Sequence, residues 1–119
     1  MAAQFTELVI DCADTARMAE FWASVLDYTV LERSPEGIEI GAADGSRPTL
    51  LFVPVPEPKQ VKNRVHIDVN PRGTDQASEL QRLLALGARE VHVGQAPEVT
   101  WVVLADPEGN EFCLLRRTV

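Results

Sequence analysis

The stretch ELVIDCADTARMAEFWASVL, residues 7–26, decides how the rest of the chain is read. It begins with an apolar run in which polar residues alternate, the pattern of a half-buried strand. Asp14 follows, and its short carboxylate suits the N-terminal cap of a helix. Met18, Phe21, Trp22, Val25 and Leu26 then recur at helical spacing and make one apolar stripe. Next come three strand-like runs, YTVLER, GIEIGA and RPTLLFVPV. Ser-Pro-Glu-Gly and Asp-Gly-Ser-Arg-Pro turns separate them. The order is β-α-β-β-β.

RVHIDV, residues 64–69, begins the same order again. NPRGT breaks that strand, and Thr74 or Asp75 can cap a helix. Ala77, Leu80, Leu83 and Leu84 form its stripe, and Gly87 suits the C-terminal cap. REVHV, TWVVLA and NEFCLLRR are three further strands. Ile10-Asp11 aligns with Ile67-Asp68, and Ala43-Asp44 with Ala105-Asp106. A few loop residues account for the unequal spacing. The proline-rich VPVPEPKQVKN, residues 53–63, reads as an extended linker between the halves. Neither half is large enough to bury a good core alone. Residues 1–119 are therefore expected to form one domain of two modules, about 5–54 and 63–117.

Composition excludes several classes of function. The 119 residues are 45% hydrophobic and 24% charged, within the range of ordinary globular proteins. A net charge of −7 repels phosphate backbones, and KQVKNR, residues 59–64, is the only cationic cluster. No nucleic-acid partner is expected. The apolar runs are too short to span a bilayer, so no membrane partner is expected either. The N-terminus shows no secretory pattern, which makes a cytoplasmic location the expectation. Two cysteines, Cys12 and Cys113, are too few for a disulfide framework.

Strand alternation sorts the candidate residues by face. Leu8, Ile10 and Cys12 share one face of the first strand, and Glu7, Val9 and Asp11 the other. In the fifth strand Val65, Ile67 and Val69 oppose Arg64, His66 and Asp68. The apolar faces are expected to pack under the helices. The opposite faces then carry five ionisable groups, which suit a wet ligand pocket better than a core. Cys113 is expected on the ligand side with Glu111 and Leu115, and Cys12 on the helix side. A bond between the two cysteines is not expected.

Three stretches together resemble the vicinal oxygen chelate superfamily, which includes glyoxalases, bleomycin-resistance proteins and extradiol dioxygenases. VIDCADTARMAEFWASVLDY resembles its opening strand and aromatic-rich helix, with Asp27 where glycine is usual. RVHIDV resembles the strand opening the second module. ADPEGNEFCLL resembles the closing turn and strand. The match covers nearly the whole chain and is nearest the glyoxalase-like group. It implies an α+β fold of two tandem βαβββ modules. Their curled mixed sheets would form a cup-shaped half-barrel with helices on the outside. It also implies a homodimer.

In metal-using members four ligands line the cup, one from the first and one from the last strand of each module. Carried over one at a time, these positions fall on Glu7, Leu51, Arg64 and Cys113. Leu51 has no donor, and Arg64 is a permanent cation. The expectation is therefore a protein without a metal or other cofactor. The alternative is a divalent ion held by Glu7, His66 and Cys113. Without a metal, Glu7 and His66 are the catalytic candidates, as proton carriers. Arg64 could stabilise an oxyanion. Cys113, Leu51, Asp11, Asp68 and Trp101 complete the expected ligand-binding set. Lys59 and Lys62 are rim candidates, and His92 is given no role. The resulting expectation is a glyoxalase-like protein that binds a small polar organic molecule. Its reaction would be that of a lyase or isomerase, by proton transfer next to a carbonyl. The alternative is a non-catalytic, bleomycin-resistance-like binder that sequesters its ligand. Ring-cleaving dioxygenase chemistry is not expected, because the ligand set is incomplete.

Overall fold

Strands and helices follow the expected order twice in the computed structural model, which describes all residues, Met1–Val119. The chain divides into two units, Met1–Pro58 and Lys59–Val119. Unit 1 contains β1 (Glu7–Cys12), α1 (Thr15–Leu26), β2 (Thr29–Ser34), β3 (Gly37–Gly41) and β4 (Thr49–Pro54). Unit 2 contains β5 (Ile67–Val69), α2 (Gln76–Leu86), β6 (Arg89–Glu90), β7 (Val102–Ala105) and β8 (Glu111–Leu114). The fold is α+β, with one open four-stranded mixed sheet in each unit. The strand orders are β1-β4-β3-β2 and β5-β8-β7-β6. In both sheets the first and last strands of the module run parallel and the other pairs antiparallel. No helix is long and apolar enough to cross a membrane.

In unit 1 the stripe of α1 packs against β3 and β4. Met18, Trp22, Ile40 and Phe52 lose essentially all contact with water. The rings of Phe21 and Trp22 meet edge to face with centroids 5.4 Å apart, a favoured aromatic geometry. Asp14 caps the helix by accepting the Arg17 N–H at 3.0 Å. Asp27 closes it in the left-handed region, with φ 56, and the following Tyr28 N–H donates to Ala23 O at 2.9 Å. Asp27 is the one non-glycine residue with positive φ.

Unit 2 is built on shorter strands. Asp75, rather than Thr74, caps α2 by accepting the Ser78 N–H at 2.8 Å, and Gly87 ends it with φ 118. Leu83 is the centre of the stripe. Ala77, expected to share it, is exposed. Glu79 is buried in its stead, with its carboxylate gripped by the Arg82 guanidinium at 2.8 and 2.7 Å. The closing turn is organised by Asp106, which is completely buried. Asp106 Oδ1 accepts the N–H groups of Glu108 and Asn110, and Oδ2 accepts Asn110 Nδ2. Gly109 supplies the positive φ that this turn requires.

Two expected strands are cut short. The strand expected over residues 64–69 is observed only as Ile67–Val69. Ile67 pairs with Phe112, so the same register carried backward would set Arg64 against Gly109. Gly109 lies in the turn and has no ladder to offer. Arg64 therefore sits on a loop, and Val65 is exposed rather than packed under a helix. REVHV keeps only Arg89–Glu90 as strand. Val91 still donates to Val103 O at 3.0 Å, and His92 beyond it is exposed.

A side chain other than glycine in the left-handed region costs roughly 1 kcal/mol. Asp27→Gly is therefore expected to stabilise the protein by about 0.5–1 kcal/mol. Thermal unfolding of the two proteins checks this, and the variant should melt a few degrees higher.

Candidate functional site

The register of the second sheet brings the chemistry together. Asp68 on β5 faces Cys113 on β8, and Cys113 faces Val103 on β7. The three side chains therefore lie in a row on one face of the sheet. His66 extends the β5 side of that row, and Leu115 extends the β8 side. These residues, with Trp101 and Lys62, line a cavity of about 430 Å³. Val93, Gly94 and Gln95 close it from the loop between β6 and β7. One part of the wall is apolar, made by Trp101, Val103, Val93 and Leu115. The polar part is His66, Asp68, Cys113, Glu111, Gln95 and Lys62.

Asp68 is the hub of the polar part. Its Oδ1 lies 3.2 Å from His66 Nε2, and the ladder sets its carboxylate beside the Cys113 thiol. Donor atoms of His66, Asp68 and Cys113 all lie within 4.8 Å of one another. Burial raises the Cys113 thiol above its ordinary pKa. The Asp68 charge raises it further, and Lys62 only partly opposes this. Cys113 is thus a neutral thiol at physiological pH and a poor nucleophile by itself. Both cysteines are free.

A clasp holds the loop that carries Lys62 and His66. Lys59 Nζ pairs with Glu111 Oε2 at 2.7 Å. Glu111 Oε1 accepts the Asn63 N–H at 2.7 Å, and Asn63 Nδ2 donates to Asn110 Oδ1 at 3.0 Å. Asn110 is itself fixed by Asp106. Burial alone would raise the Glu111 carboxyl. The Lys59 hydrogen bond, the Asn63 N–H and the Lys59 charge outweigh it and hold the carboxyl below the ordinary glutamate value.

His66, Asp68, Cys113 and Trp101, four of the residues singled out in the sequence, meet at this cavity. Arg64 is exposed on its loop and does not line it. Glu7, Asp11 and Leu51 belong to unit 1, where the β1–β4 register sets Val9 beside Leu51. Glu7 and Asp11 are exposed there. That register also corrects the alignment of the two halves. If Leu51 corresponds to Cys113, the residue facing each must correspond too, so Val9 matches Asp68. One pleat earlier, Glu7 matches His66 and not Arg64. Sequence reasoning missed the clasp of Glu111, Lys59 and Asn63. It also missed Val93, the last residue of the REVHV run, and Gly94 and Gln95 beyond it.

Comparison with known proteins agrees with this architecture. A family model described as glyoxalase-like domain matches residues 7–115, so the chain belongs to that family, within the vicinal oxygen chelate superfamily. Comparison with curated proteins gives no match. Among solved structures, the fosfomycin resistance protein FosX from Listeria monocytogenes, complexed with Mn(II) and a dihydroxypropylphosphonic acid, superposes with a TM-score of 0.76 at 14% identity. The match covers 100% of this chain and 96% of that one. A glyoxalase/bleomycin resistance protein/dioxygenase family enzyme from Burkholderia phytofirmans gives 0.68 at 19% identity, covering 94% and 97%. TnmS3, an antibiotic binding protein from a Streptomyces species, gives 0.64 at 16%, covering 96% and 95%. These likenesses show the fold.

The metal arrangement that the superfamily implies fits this chain poorly. Leu51 offers a hydrocarbon at one of the four ligand positions. The alternative trio of Glu7, His66 and Cys113 draws on both units, whereas the clustered donors His66, Asp68 and Cys113 all belong to unit 2.

The pH dependence of the clasp follows from the depressed Glu111 pKa. A carboxyl with a lowered folded-state pKa stabilises fully above its unfolded-state value. That contribution disappears as pH falls through the folded-state value. The Asn63 amide resonance should therefore titrate with a midpoint below that of an ordinary glutamate. Glu111→Gln is expected to abolish the titration, to speed amide exchange at Asn63, and to cost about 1 kcal/mol of stability.

Proposed function

We propose that the protein binds a small organic molecule in the unit 2 cavity and moves a proton next to its carbonyl, as a lyase or isomerase of glyoxalase type. The observation that carries this reading is the His66–Asp68 pair set at 3.2 Å against an apolar wall in a cavity of about 430 Å³. Trp101, Val103 and Leu115 accept the apolar body of the ligand. His66 is the proton carrier, because an imidazole can both accept and donate a proton and Asp68 orients its ring. Lys62 takes the charge-stabilising role first assigned to Arg64, since it lines the cavity and Arg64 does not. The Cys113 thiol, kept neutral, offers a weak polar contact. Glu7, Asp11 and Leu51 have no part in this reading. A homodimer belongs to it on the strength of the family resemblance, and a cytoplasmic location is part of the same proposal.

The test uses fluorescence, because Trp101 is exposed to the cavity and Trp22 is buried. A panel of small carbonyl compounds should quench Trp101, and a bound member should exchange its α-proton with deuterated solvent. His66→Ala is expected to slow that exchange by about 100-fold or more while affinity changes little. Binding without exchange in the unaltered protein would instead establish sequestration. Quenching that persists in Trp101→Phe would place the ligand elsewhere.

A further inference from the structure

The loop between β6 and β7 has a cavity on each side of it. Val93 and Gly94 line the main cavity. Val91, His92, Ala96 and Val99 line a second, smaller one of about 210 Å³. Gln95, Trp101 and Val103 belong to the walls of both. We propose that the smaller cavity is an annex of the main one. It takes the unbranched hydrocarbon tail of a medium-chain carbonyl compound whose reactive end lies at His66 and Asp68. This inference rests on the reading of the main cavity as the place of proton transfer, and it names the class of ligand.

The annex exists because β6 stops early. The Val91 N–H still donates to Val103 O at 3.0 Å. The same register carried on would set His92 against Val102, but β6 has already ended. The chain leaves the sheet there and rejoins it at Val102, and the space between is the annex. Val91, Ala96, Pro97, Val99 and Val102 supply hydrocarbon to its wall. Glu90 and His92 are exposed and keep their polar ends in water. An anionic group would meet the Glu90 carboxylate and no lysine or arginine, so the wall favours an uncharged tail. A group the size of a water molecule, as a methylene is, takes up roughly 30 Å³, so the annex holds about four to six chain carbons with its mouth open to solvent.

The sill between the two cavities can give way. Gln95 Oε1 accepts the Val93 N–H at 2.9 Å. Gln95 Nε2 reaches Val91 O only at 3.5 Å, the weak end of the hydrogen-bond range. Turning this amide out to water costs little, because water replaces its partners. Trp101 is 42% exposed and precedes β7, so no ladder holds it. Its flat ring offers an apolar face to each side. Val103 is fixed by its pairing with Cys113 and is the floor common to both cavities. A tail laid over Val103 and along Trp101 keeps apolar contact from one cavity to the other.

The test uses the whole protein and straight-chain methyl ketones, from methyl ethyl ketone to methyl octyl ketone. Each methylene that enters the annex should tighten binding by roughly fourfold. Val99→Phe fills the annex and alters no residue of the main cavity. It should weaken methyl octyl ketone by about 15- to 60-fold, the worth of two or three buried methylenes, and leave methyl ethyl ketone unchanged. Ala96→Phe, at an exposed loop position, should do the same if Val99→Phe fails to fold. In the unaltered protein, the isotope-labelled terminal methyl of methyl octyl ketone should show nuclear Overhauser contacts to the Val91 and Val99 methyls. Contacts to Val103 and Leu115 alone, or an affinity for methyl octyl ketone unchanged in the folded variants, would overturn the annex. The two readings fail separately. If methyl ethyl ketone binds and exchanges its α-protons while the long tail stays out of the annex, proton transfer stands and the annex falls. If the tail reaches Val99 without exchange, the annex stands as part of a sequestering site. No binding by any ketone would overturn both.

Discussion

Asp106 is buried completely, and its carboxylate accepts two backbone N–H groups and one side-chain amide of the turn that follows it. A buried carboxylate without such partners would be strongly destabilising. The turn is thus locked, and with it the point where β8 can begin. The start of β8 sets which residues of β5 find partners. That register alone brings Asp68 beside Cys113 and leaves Arg64 on a loop. The composition of the cavity wall traces back to one turn.

The parts of the fold legible in the sequence were those that carry strong periodicity or local chemistry. The stripe of Met18, Phe21, Trp22 and Val25 is buried as its spacing implied. Asp14, Asp75 and Gly87 cap their helices because short-range hydrogen bonding and backbone freedom decide caps. Alternation alone was a poorer guide in unit 2. RVHIDV alternates well, yet a strand needs a partner, and the partner of Arg64 would be a turn residue. Ala77, expected in the stripe of α2, is exposed, and Glu79 is buried with its carboxylate held by Arg82.

The candidate site was legible in its residues but not in its grouping. His66, Asp68, Cys113 and Trp101 stand out as residue types able to do chemistry. Their convergence depends on pairing across β5, β8 and β7, which no single stretch encodes. Glu7 was grouped with them through a repeat whose true register is one pleat away. The clasp was invisible for a different reason. Lys59, Asn63, Asn110 and Glu111 are ordinary surface types, and only their meeting across the fold gives them a role.

The very short β6 has a consequence of its own. The chain leaves the ladder soon after Glu90, and Val93, Gly94 and Gln95 reach the cavity from a loop free of strand pairing. Side chains on such a loop can be exchanged, lengthened or shortened without disturbing sheet hydrogen bonds. The part of the cavity wall that they form can therefore vary without cost to the sheet. Asp68 and Cys113 at the floor of the cavity are tied to the ladder and change far more slowly. Close relatives should share the floor and differ in the loop.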